Sequence, residues 1–140
     1  MINDDLRLTG ALTISLNGVV VQETNNLVVT AGKNWVADRM NNANTVMTHM
    51  ALGTGTNAAA AGDTTLQTEL DRNTLTSTTV STNTIAYACT WAAGDGTGAI
   101  TEAAILDAAS SGDMLARTVF SVVNKAASDS ITITWTITIS

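Results

Sequence analysis

His49 is the only histidine and Cys89 the only cysteine in 140 residues, so nucleophilic or imidazole chemistry in this chain has to use one or the other. A Ser-His-Asp or Cys-His mechanism needs His49 as base, with Cys89 or a serine as nucleophile. His49 lies between Thr48 and Met50 in a strand-like run, a setting that suits a structural imidazole. Glycoside hydrolysis needs two carboxylates converging across a cleft. Asp63, Glu69, Asp71, Asp95, Glu102, Asp107, Asp113 and Asp129 mostly fall in turns or at strand ends, the expected place of solvated acids. A lone cysteine excludes an intrachain disulfide and a cysteine-based zinc site.

Two glycine-rich loops, Gly53-Thr54-Gly55-Thr56 and Gly94-Asp95-Gly96-Thr97-Gly98, look superficially like phosphate cradles. Neither is followed by Gly-Lys-Ser/Thr or opens an amphipathic helix, and the second lacks the acid spacing of a helix-loop-helix calcium site. Turn glycine accounts for both. Trp35, Trp91 and Trp135 each fall in an apolar register of their own element, which favours core packing over a carbohydrate platform. The residues therefore predict no enzyme, no catalytic or metal-binding residues and no cofactor.

The elements that would carry these residues are mostly strands. In Ile131-Thr132-Ile133-Thr134-Trp135-Thr136-Ile137-Thr138-Ile139, the period of two puts the isoleucines and Trp135 on one face and the threonines on the other. A strand this long and this β-prone is predicted to be central or near-central in a sheet. Residues 6–24 read as a hairpin turning at Asn17-Gly18, with a bend or bulge at Gly10. Residues 30–40 form the only convincing helix, with Thr30 able to cap it. Strand-like runs follow at residues 47–52, 73–80, 84–92, 99–106 and 114–122, separated by Gly/Ser/Asn/Asp turns. The pattern predicts a single all-β domain over residues 1–140, with one short helix, built as an antiparallel β-sandwich, jelly-roll-like, of about eight strands.

Charge narrows the partners. Asp+Glu 12 against Lys+Arg 6 leaves a net charge of −6. The scattered cations Arg7, Lys33, Arg39, Arg72, Arg117 and Lys125 form no footprint for nucleic acid. No apolar run is long enough to span a bilayer, and the start Met1-Ile2-Asn3-Asp4-Asp5 is acidic where a signal peptide would be basic. The expectation is synthesis in the cytoplasm, with no membrane partner. Proline is absent, so the edge strands must be guarded by loops, by the helix or by a partner.

One extended pattern goes further. The run Thr48-His49-Met50-Ala51-Leu52-Gly53-Thr54-Gly55-Thr56 is followed by Ala61-Gly62-Asp63-Thr64-Thr65-Leu66-Gln67-Thr68-Glu69-Leu70 with Arg72. The tail runs from Met114-Leu115-Ala116-Arg117-Thr118-Val119-Phe120-Ser121 through Asn124-Lys125 to residues 131–137. With residues 27–40 included, these segments resemble small virion proteins of tailed bacteriophages, and within that group the chain is most similar to the cement, or decoration, proteins of podophage capsids. The resemblance implies a jelly-roll domain that sits as a homodimer on the outer surface of the capsid and clamps neighbouring major capsid protein subunits. It carries over no catalytic residue. The same pattern also occurs in proteins labelled as tail or tail-fibre components, so the alternative is a structural or receptor-binding part of the tail. The apolar end Met1, Ile2 and Asn3, ahead of Asp4-Asp5, is the expected shell contact, because a free end is cheap to order against a partner.

Overall fold

The computed structural model describes residues 5–140. Met1, Ile2 and Asn3, the expected shell contact, lie outside the described residues. Along the chain come β1 (Leu8–Leu16), β2 (Val19–Asn25), β3 (Leu27–Val28), α1 (Thr30–Met40), β4 (His49–Gly53), β5 (Glu69–Thr74), β6 (Ser77–Ser81), β7 (Thr84–Trp91), β8 (Gly98–Leu106), β9 (Met114–Lys125) and β10 (Ile131–Ile139). They form two five-stranded antiparallel sheets, ordered β2-β1-β10-β7-β6 and β3-β9-β8-β4-β5. These are called the first and second sheet below.

The long alternating strand is the middle of the first sheet. β10 pairs with β1 along its whole length, Leu8 opposite Ile139 to Leu16 opposite Ile131, and with β7 on its other side. Its period-two pattern has the predicted consequence: Ile131, Ile133, Trp135 and Ile137 are buried. Ile139, on the same face, remains partly exposed because it lies at the open end of the sandwich, beside α1. Most of the core is the layer between the sheets, where Trp135 and Ile133 are packed in one cluster with Met50, Ile105 and Leu115.

The sandwich is as expected, with ten strands among the described residues in place of about eight. The chain passes between the sheets after β2, β5, β7 and β9, and the hairpins β1-β2, β4-β5, β6-β7 and β8-β9 stay within one sheet. That order establishes an antiparallel sandwich without establishing a jelly roll.

Several local expectations need correction. Residues 73–80 are not one strand: Asn73 and Thr74 end β5 in the second sheet, the chain crosses at Leu75-Thr76, and β6 belongs to the first. Gly10 makes no bulge, since its pairing with Ile137 is regular; the register shift lies between Ile14 and Ser15, against β2. A Cβ at Gly10 would stand 1.8 Å from Asn26 Oδ1. The glycine is there to admit Asn26, whose Oδ1 accepts the Trp135 indole N–H at 2.7 Å. Thr30 is the first helical residue rather than the cap; Val29 precedes it and supplies no side-chain hydrogen bond. Thr30 N instead donates to the Ala61 carbonyl at 2.8 Å. The Asn17-Gly18 hairpin is as expected, with φ of 51° and 80° at its two central residues, the left-handed pair a tight primed turn requires.

Candidate functional site

The chemistry-bearing residues are dispersed. His49 starts β4, and its Nδ1 lies 2.7 Å from Thr48 Oγ1, its Nε2 3.4 Å from Thr74 Oγ1. Cys89 is buried in β7, with its thiol directed at the Asn73 and Thr74 carbonyls. Burial pushes that thiol up to about 12, so almost none is thiolate at neutral pH. A Cys-His pair is therefore a poor account of either residue. The three tryptophans form no common platform. Trp91 and Trp135 are buried between the sheets, whereas Trp35 is partly buried on α1 and donates its indole N–H to the Thr45 carbonyl at 2.8 Å.

One polar constellation was misjudged at the level of sequence. Glu102 is not a solvated acid at a strand end: it stands in the middle of β8 and is fully buried. Its Oε1 accepts the N–H groups of Gly55 at 2.9 Å and Thr68 at 2.7 Å, and its Oε2 that of Gln67 at 3.0 Å. Arg117 of β9, almost as deeply buried, donates Nε and Nη2 to Glu102 Oε2 and Nη1 to Asp63 Oδ2 at 2.8 Å. Its remaining donors reach the carbonyls of Asn57 and Ala58. The group ties the segment over residues 54–68 down onto the outer face of the second sheet, where Leu66 joins a second apolar cluster with Ala51, Ala104 and Met114.

Burial alone would push the Glu102 carboxyl up, but the N–H of Thr68, the Arg117 guanidinium and the N–H groups of Gln67 and Gly55 outweigh it and hold it below its ordinary value of 4.5. Asp63 is likewise pushed up by burial and brought below 3.8 by the Ala60 N–H and Arg117. Gly53 and Gly55 follow from the same geometry. A Cβ at either would come within 2.5 Å of Glu102 Oε1, so these glycines admit a carboxylate rather than make a turn. Gly94 and Gly96, with φ of 88° and 60°, are turn glycines as expected, whereas Gly98, with φ of 154°, already opens β8 opposite Lys125. A charge inside the apolar run Ala99-Ile100-Thr101-Glu102-Ala103-Ala104-Ile105-Leu106 was the available signal, matched by Arg117 inside an equally apolar run. Every polar atom of this group that faces another is paired, and such a saturated network fixes a loop rather than awaits a substrate.

Two surfaces remain. The outer face of the first sheet is an ordered field of small uncharged side chains. Thr13 lies opposite Thr134, Thr134 opposite Ala88, and Ala88 opposite Ser77 across four strands. The next row runs Ala11, Thr136, Ala86 and Thr79. Thr90 and Thr132 join their hydroxyls at 2.9 Å. Glu23, on the edge strand β2 opposite Thr13, sets a charge at the border of this field. At one end of the sandwich an apolar groove of about 430 Å³ opens between α1 and the first sheet, lined among others by Leu8, Trp35, Met40, Val80, Tyr87 and Ile139, with Arg39 as its one charged wall residue. Met40 at 86% and Val80 at 69% are among the most exposed large apolar side chains.

No protein-family model matches the chain, and neither does any curated protein or any solved structure.

Proposed function

We propose that this protein is a capsid cement protein: a homodimer on the outer surface of a bacteriophage head that clamps neighbouring major capsid protein subunits. The carrying observation is the outer face of β1, β10, β7 and β6, a charge-free lattice of threonine, serine and alanine on a chain of net charge −6. A broad rigid face without charges can lie against another protein without desolvating ions, which is the costly part of burying polar surface. The rest of the molecule keeps that face rigid, with a packed core beneath it and a second sheet pinned by Glu102 and Arg117. The likeness of residues 48–56, 61–72 and 114–137 to small virion proteins supplies the setting. Many copies of a modest contact around a shell add up through avidity.

Particles made without the protein are expected to form shells of normal size that burst at lower temperature or lower internal pressure, and adding back the purified chain should restore them. An antibody against the chain should label the head. Shells that fail to assemble in its absence, or label confined to the tail, would overturn this placement; the second outcome favours a tail or tail-fibre component. Replacing His49 by Gln should leave incorporation and infectivity unchanged.

A further inference from the structure

We infer that β6 is the dimer edge: two copies join β6 to β6 across a two-fold axis through Thr79, making one continuous ten-stranded sheet. The inference rests on the homodimer in the reading above, but not on where in a virion the dimer sits.

The two sheets have four edge strands between them, and three are guarded. β3 is two residues long. β5 carries Glu69, Asp71 and Arg72 and has a register shift against β4. β2 carries Glu23 and a register shift against β1. Short length, charge and bulges are the devices that stop an edge from recruiting another strand. β6 has none of them. Its sequence Ser77-Thr78-Thr79-Val80-Ser81 contains no charge, its register with β7 is unbroken, and all five residues are exposed. Its only strand partner is β7, so the backbone groups on its other side meet no strand among the described residues.

The occupant follows from charge and symmetry. Each copy has net charge −6, so two copies repel unless they meet where the acids are absent. A two-fold contact uses one patch twice, and an antiparallel pair of identical strands satisfies this about its middle residue. Centred on Thr79, Ser77 of one copy faces Ser81 of the other and Thr78 faces Val80. Val80 is also a wall of the apolar groove, so the added strand extends apolar contact towards Met40 and Ile139.

The test uses the isolated full chain. Sedimentation at micromolar concentration should show a dimer, and Thr79→Lys, which sets two ammonium groups against each other on the axis, should raise the dimer Kd roughly tenfold or more. Its circular dichroism and melting point as a dilute monomer should match those of the native chain. Under oxidation Thr79→Cys should form an intermolecular disulfide, since opposed residues of an antiparallel pair lie within disulfide reach. Thr136→Cys, on the same face two strands inward, should not, and buried Cys89 offers no competing thiol. A monomeric native chain, a dimer unaffected by Thr79→Lys, or Thr79→Cys cross-linking no faster than Thr136→Cys would each overturn the interface. Preferential cross-linking of Thr79→Cys in particles to a shell subunit would also overturn it and assign the edge to that partner. None of these outcomes depends on the bursting of particles, so shell placement fails or stands separately.

Discussion

The two sheets share a core and treat their other faces in opposite ways. At the centre of the second sheet both faces are covered: every residue of β8 from Ile100 to Leu106 is buried, because the segment over residues 54–68 lies across the outside. In the first sheet burial alternates along β10, and the threonine face is open. A sheet covered on both sides reads as a continuous apolar run, and one covered on a single side reads as alternation. What distinguishes the runs in this chain is that the covered sheet holds its cover with ions. Glu102 and Arg117 interrupt apolar strands at the points where the covering segment must be tied down, whereas the open sheet has no such task and carries almost no charge.

The sharpest break in this contrast should come from Glu102→Leu. It leaves Arg117 buried without its main partner and removes the acceptor of three N–H groups, a combination expected to cost about 5 kcal/mol in chemical denaturation. Replacing Glu102 and Arg117 together by Leu and Met should recover only the part of that loss due to the orphaned charge, because the three N–H groups stay without an acceptor. The same pin gives the stability a sign with pH. Both carboxyls are held below their ordinary values of 4.5 and 3.8, so their contribution is complete above that range and is lost as pH falls through the lowered values. The fall in melting temperature with acidification should be shallower in Glu102→Gln than in the native chain.

In the first sheet the corresponding break is Trp135→Ala, expected to cost roughly 3–5 kcal/mol through the cavity it leaves. It also deprives Asn26 Oδ1 of its indole donor. Unchanged melting would refute the burial of this face. Gly10→Ala should cost about 2 kcal/mol, since the new methyl displaces Asn26 and crowds Ile137. The smallest effect belongs to the open face: Thr134→Ala should change the stability of the isolated chain by less than about 0.5 kcal/mol. If the field of hydroxyls serves contact with other subunits, the same substitution should weaken retention on particles.

Sequence alone determined the elements whose signal is local. Alternation in residues 131–139 specifies which face is buried, because a one-residue slip would exchange five apolar side chains for threonines. Asn17-Gly18 specifies a hairpin, because both residues tolerate positive φ. The absence of proline raised the question of how the edges are guarded. Only tertiary structure answered it, because an edge is defined by a missing neighbour: β6 could be recognised as unguarded once residues 73–80 proved to change sheets in mid-run. Gly10, Gly53 and Gly55 look like turn or bulge glycines in sequence, yet each is small because a polar side chain distant in sequence, Asn26 or Glu102, comes against its backbone. Glu102 and Arg117 are 15 residues apart on neighbouring strands, and no local periodicity places one against the other or both beneath residues 54–68. Register between β8 and β9 does that, and register is a property of the assembled sheet.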